Sequence, residues 1–370
     1  PPPPPPPPPV FQADDGIRDC LRGLVGSEMC IRDRWTAFFG AVILASSVEV
    51  IVLTQTIVHD TSLYFFVTAA LACFYRGYSA SEGSGKWFLL SCASLGMAIL
   101  AKGPVGLLLP AGVIFFFLAF RRDLKFIGKM QLHWGVPLGL LIAVPWFTAM
   151  TTLHSDYVEE FFIRLHFGNF SAFADRKATH SQPWFYYLGA LFGGFAPWSV
   201  WLPGAVWRAW QRRSEDERGA TIFLFVWAGL YLVFFTSCES KLSTYILPMF
   251  PAVALLTGRL WEEVARWEVP SAAARRWTLW PFAAFLAIPI VAIVLLGRPE
   301  TSPQNLDYTY GVTVPGALMP LVGLFGFNVL GGIFFWKGRG RAAFACVAAS
   351  ITSAILLFVL CVGPGLNPVR

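Results

Sequence analysis

The sequence predicts an all-α protein, a polytopic transmembrane helical bundle of about eleven spans with outer-face loops. Three observations carry this. Of 370 residues, 56% are hydrophobic and only 14% are charged, where soluble domains carry about 25% charged residues. The apolar residues gather into runs of roughly 17 to 25, the length needed to cross a bilayer core as a helix. Lysine and arginine fall in short connections at alternate ends of those runs.

Residues 1–34 stand apart. Nine prolines precede a mixed stretch with no apolar run, and "LRGLVGSEMCIRDR" resembles translated adapter sequence. This segment is expected to be non-native and unstructured, and it is set aside from function. The bundle is expected over 35–363, with 364–370 beginning an outward segment that is cut short.

Within the bundle the predicted spans are 35–53, 61–76, 87–101, 103–120, 133–153, 184–206, 219–237, 243–258, 277–297, 314–336 and 342–363. Their orientation follows from the cations, because short cytoplasmic connections retain Lys and Arg. Arg76 with Lys86 fills one turn, and Arg121, Arg122, Lys125 and Lys129 fill the next. Arg208 to Arg218, Arg259 to Arg276, and Lys337 to Arg341 supply three more. Alternating spans put all five turns on one side, which is therefore read as cytoplasmic. The opposite, outer face receives His59, Asp60, Lys102, the long loop 151–183, the loop 237–243 and the loop 298–314.

This pattern excludes several classes. The net charge of +6 is spread over turns and forms no stripe for nucleic acid. The seven cysteines contain no CxxC pair, so neither a disulfide framework nor a metal site is expected. No GxGxxG stretch offers a nucleotide site.

The polar residues without a topological task lie on the outer face. Asp60, in "VHDTSL", stands where a helix begins; it is either an N-cap for that helix or a carboxylate at a cavity rim that contacts a substrate or helps a general base. Lys102, in "LAKGPVGLLLP", lies between two apolar runs, snorkelling to the interface or meeting an anionic headgroup. In the loop 151–183, His166, Arg176, Lys177 and His180 approach Trp184, Tyr186 and Tyr187 in sequence. Cations there could hold a phosphate while aromatic faces hold a sugar ring or an apolar chain. In "TSCESKLSTYILPMFPA", Glu239 and Lys241 precede a helix interrupted by Pro248 and Pro251, and ionisable groups beside broken helices mark a cavity.

Taken in order, "HDTSLYFF", "LAKGPVGLLLP", "HSQPWFYY" and "SKLSTYILPMFPA" resemble the GT-C superfamily of membrane glycosyltransferases over about residues 35–370. The similarity is to the branch holding aminoarabinose transferase and the bacterial relatives of dolichyl-phosphate-mannose protein mannosyltransferase. The resemblance implies transfer of a sugar from an undecaprenyl-phosphate (polyprenyl-phosphate) donor to a lipid, glycan or protein acceptor, at the outer face of the bacterial inner membrane. No tightly bound cofactor is implied.

By that resemblance Asp60 lies near donor sugar and acceptor, Tyr245 lines the donor cavity, and Lys102 and Lys241 sit at its rim. Asn169 occupies a position where relatives carry an Arg for the donor phosphate, which leaves Arg176 or Lys177 to take that role. The family's first outer loop, with an Asp-Glu pair and a Lys-Pro-Pro stretch, has no counterpart before Trp35, so the chain is read as truncated at the front. Two other classes fit the composition: a secondary transporter or lipid flippase, whose charges would line a path at mid-membrane, and a non-catalytic scaffold.

Overall fold

The computed structural model describes residues 34–54, 59–80, 84–154, 182–213, 219–238, 240–266, 280–282 and 314–361. Every regular element among them is helical. In chain order these are α1 (Arg34–Ala45), α2 (Val48–Thr54), α3 (His59–Ser79), α4 (Gly85–Lys102), α5 (Val105–Phe120) and α6 (Leu132–Leu153). They continue as α7 (Tyr186–Gly194), α8 (Leu202–Gln211), α9 (Ala220–Ser237), α10 (Phe250–Arg266), α11 (Val314–Trp336) and α12 (Gly340–Cys361). Short 3-10 turns at Leu124–Lys129, Trp198–Trp201 and Ser243–Met249 complete the described path.

Among the described residues, α6 and α9 are long and apolar enough to cross a membrane unaided, while α1 and α5 are apolar but shorter. Three predicted spans are not single helices. The run 35–53 breaks at Ser46 and Ser47, whose hydroxyls donate to the carbonyls of Val42 (2.5 Å) and Ile43 (2.8 Å). Side-chain bonds of this kind compete with the helical ladder and bend it. The run 184–206 divides into α7, a 3-10 turn and α8 after a Gly-Gly pair. The run 243–258 opens as the 3-10 turn Ser243–Met249 and becomes α-helical only from Phe250. Of the run 277–297, only 280–282 is described.

Small residues set the closest helix contacts. Along α6, Gly135, Gly139 and Ala143 recur at every fourth position and are buried. A Cβ on α4's Gly96 would come within 2.7 Å of the Gly139 carbonyl oxygen, and one on Gly135 within 2.5 Å of Cys92 Sγ. Absent side chains let the two backbones approach, the usual basis of helix association in lipid. The rest of α6 is bare: Trp134, Leu141 and Trp146 are 65%, 72% and 55% exposed. Such a surface is at home in hydrocarbon.

Aromatic rings fill much of the interior. Phe74, Phe117 and Phe223 meet between α3, α5 and α9. Trp198, Trp201, Trp261 and Phe344 meet between the Trp198–Trp201 turn, α10 and α12.

The cationic turns gather at one end of this core. Gln131 abuts Gly85, Arg121 lies over Gly219, and Gly340 closes on the Val264 carbonyl. Arg341 stacks on Trp35 and Arg76 on Trp87. There too, Glu263 accepts from Arg208 (2.8 Å) and Arg212 (2.9 Å), and Arg266 pairs with Glu262. The 17-residue α10 rises about 25 Å from the opposite end to this one.

Candidate functional site

At that opposite end, three chain segments converge on Asp60. The carboxylate lies in the first turn of α3 and is only 5% exposed. A charge this deeply buried needs partners. The N-cap alternative does not describe it: both oxygens engage side chains. Lys102 Nζ pairs with Oδ1, and the Thr244 hydroxyl donates to Oδ2 at 2.7 Å.

Lys102 is the last residue of α4, and the turn that follows fixes its reach. Gly103 has φ +66°, a conformation that side-chain-bearing residues avoid, and its N–H donates to the Ile99 carbonyl at 2.6 Å. Pro104 then starts α5. Gly106 completes the hairpin, because a Cβ there would sit 2.2 Å from the Ala98 carbonyl oxygen. So held, the Lys102 ammonium lies between Asp60 and the Tyr245 ring, 4.1 Å from the ring centroid. This is cation–π geometry.

Thr244 and Tyr245 come from the 3-10 turn Ser243–Met249, entered through an extended Leu242. The turn is tied to α9, where the Trp227 indole N–H donates to the Pro248 carbonyl at 2.8 Å. The Tyr245 ring meets Phe235 at 5.4 Å, and Phe235 meets Tyr187 of α7 at 6.4 Å. Tyr187 is fully buried. Lys241 is 6% exposed, and its Nζ donates to the Cys238 carbonyl at 2.6 Å. Burial pushes the Cys238 thiol above its ordinary value, and the nearby Lys241 charge lowers it in part.

Thus Asp60, Lys102 and Tyr245 form one constellation, with Lys241 and Tyr187 beside it. His166, Arg176, Lys177 and His180 lie outside the described residues. Thr244 was missed from sequence. It adjoins Tyr245 inside a quoted motif, but nothing local says that its hydroxyl meets a carboxylate on α3. The Glu262–Glu263 pair was also missed, although two adjacent acids beside Arg259 and Arg266 were a visible signal. Among the described residues, no three His, Cys, Asp or Glu side chains converge as metal ligands.

Chemically, the constellation offers a buried carboxylate, a fixed ammonium, a hydroxyl and an aromatic wall at a break between helices. A carboxylate has about four lone-pair sites, so two donors do not exhaust Asp60.

Residues 28–158 match the family described as dolichyl-phosphate-mannose-protein mannosyltransferase, and the match begins inside the segment set aside above. Among curated relatives, the chain is 32% identical over 232 residues to the undecaprenyl phosphate-alpha-4-amino-4-deoxy-L-arabinose arabinosyl transferase of Erwinia tasmaniensis, covering 61% of this chain and 40% of that one. It is 31% identical over 304 residues to the protein of the same name from Pectobacterium carotovorum, covering 79% and 51%. The chain thus spans about half the length of these relatives or less. The fold resembles the crystal structure of ArnT from Cupriavidus metallidurans bound to undecaprenyl phosphate, with a TM-score of 0.71, 23% identity, and coverage of 93% of this chain and 63% of that one. The apo form of the same protein gives 0.69 over 93% and 62%. The fold is therefore the one seen in that crystal structure, and over the portion it shares with the curated relatives the chain is similar to the aminoarabinose transferases.

Proposed function

We propose that the protein is a glycosyltransferase that moves a sugar from a polyprenyl-phosphate donor to a lipid, glycan or protein hydroxyl. The donor class expected is an undecaprenyl-phosphate sugar, and the reaction face is the outer side of the bacterial cytoplasmic membrane. The single observation that carries this reading is the buried Asp60–Lys102 pair, roofed by Tyr245 and closed by Thr244. It lies at the end opposite the cationic turns, which is the outer end if those turns face the cytoplasm.

The reaction needs little beyond these parts. The acceptor hydroxyl oxygen attacks the anomeric carbon, the bond from that carbon to the phosphate oxygen breaks, and the lipid phosphate leaves with the electron pair. The acceptor proton passes to a carboxylate, for which Asp60 is the candidate. Fixed cations stabilise the charge that grows on the departing phosphate. Tyr245, which is only partly buried, supplies an aromatic face for the sugar or the first isoprene units. Charged groups set at one end, with none of this constellation at mid-bundle, favour this reading over a transport path.

The test is transfer of radiolabelled sugar from polyprenyl phosphate by membranes holding the protein at its full natural length, beside Asp60→Asn. Transfer that falls at least about 100-fold in the variant, at equal protein level, supports the reading. No transfer from any donor sugar, with the variant indistinguishable, would end it.

A further inference from the structure

The two lysines at this site are in different electrostatic states. Lys102 is matched by the Asp60 carboxylate. Lys241 is buried to 6% exposure, and among the described residues its partner is a backbone carbonyl, that of Cys238. An ammonium has three donors and a full charge. Among the described residues, one neutral carbonyl leaves donors unused and the charge without a counter-ion, which is costly in a site withdrawn from water.

A second donor points the same way. The Tyr187 hydroxyl is buried and finds no well-aligned hydrogen-bond partner. It rests against the backbone of Leu242, the residue after Lys241, and Cys238 and Tyr245 lie close by. Meanwhile the described donors to Asp60 are Lys102 and Thr244, not Lys241. Among the described contacts of Lys241 and Tyr187, then, donors exceed acceptors, and the Lys241 ammonium meets no carboxylate. What satisfies both is an anion with several acceptor oxygens.

Resting on the donor class proposed above, we propose that Lys241, with the Tyr187 hydroxyl, is the seat for the phosphate of the lipid-linked donor. Lys102 then acts as an internal counter-ion that holds Asp60 and Tyr245 in place. This accounts for two lysines at one rim, and for a phosphate ligand where Asn169 replaces the expected arginine.

The experiment is binding of undecaprenyl phosphate to the purified chain in detergent, with undecaprenol as the uncharged control and phosphatidylglycerol and inorganic phosphate as competitors. Lys241→Met should weaken undecaprenyl phosphate at least about tenfold and Lys241→Arg by no more than about threefold, because arginine keeps the charge. Undecaprenol should bind all three forms alike. Equal binding of undecaprenyl phosphate by Lys241→Met overturns the assignment, as does an equal loss for phosphate and alcohol, which marks a folding defect. Phosphatidylglycerol competing as well as the polyprenyl phosphate would give the seat to bilayer phospholipid, and inorganic phosphate competing as well would give it to free anion; either result overturns the donor as its ligand. Glu239→Gln provides a second check. A loss matching that of Lys241→Met would make the lysine one half of a structural ion pair and sink the proposal. Lys241-dependent binding without any glycosyl transfer would leave this seat standing and remove only the reaction proposed above.

Discussion

Asp60 and Thr244 are 184 residues apart in the chain and joined by a 2.7 Å hydrogen bond in the fold. That bond ties the first turn of α3 to the 3-10 turn before α10, and with Lys102 it occupies both oxygens of the buried carboxylate. A hydrogen bond to a charged group contributes about 1.5–3 kcal/mol. Thr244→Val keeps the shape and removes the donor, so transfer should fall roughly tenfold or more, with Thr244→Ser restoring most of it. In an Asp60→Asn background, Thr244→Val should cost little more, because the two side chains act as one unit. Full additivity in that double-mutant cycle would show that Thr244 acts elsewhere.

The hairpin that delivers Lys102 should tolerate no added methyl group. Gly106→Ala would place a carbon 2.2 Å from the Ala98 carbonyl oxygen, with only backbone to yield. A loss of about 2 kcal/mol or more is expected, read as a lower thermal midpoint in detergent. Gly229, within α9, has nothing within 4 Å of the same added carbon. Gly229→Ala should therefore stabilise by up to about 1 kcal/mol.

At the opposite end, Glu263 joins α8 to α10 through Arg208 and Arg212. Both members of the Arg208 pair are nearly buried, with side chains 12% and 11% exposed. Removing one partner of such a pair leaves the other unmatched, so Glu263→Gln should lose about 3 kcal/mol. Adding Arg208→Met should recover part of that loss. A Glu263→Gln form as stable as the parent would mean that α8 and α10 are held by packing alone.

Cys238 reports on the site without taking part in it. Burial raises its thiol above the ordinary 9.0, and the Lys241 charge opposes that rise. Only the thiolate is alkylated. With the other cysteines replaced by Ala, its maleimide reaction should keep accelerating as pH passes 9.0, where an exposed thiol would level off. Lys241→Met removes the lowering influence, so its profile should shift further to alkaline pH. In intact cells a membrane-impermeant maleimide should reach Cys238 from outside if the site faces outward.

Much of the architecture was legible because lipid imposes a strong rule. Backbone groups must be satisfied within each crossing segment, so apolar runs of fixed length become helices, and the cations between them sort to one end. The contacts among Gln131 and Gly85, Arg121 and Gly219, and Gly340 and Val264 bring those predicted turns together. The breaks were harder to see. At Ser46–Ser47 and after Gly194 the apolar pattern runs on, while hydroxyl-to-carbonyl bonds and a Gly-Gly pair end the helix.

Asp60 and Lys102 could be singled out from sequence, because ionisable groups at the ends of apolar runs call for a partner, while Tyr245 was named through the family resemblance. Their pairing could not. Whether Lys102 faces a headgroup, water or Asp60 depends on where the α4–α5 hairpin delivers its ammonium, and Thr244 enters only because the segment before α10 folds back over α3. The sequence alone determined that the described elements are helices and which end of the bundle holds spare polar groups, since these follow from length, hydrophobicity and charge. Tertiary structure alone decided which of the buried charges meet one another, because hydrogen bonds and ion pairs depend on ångström-scale distances between segments far apart in the chain.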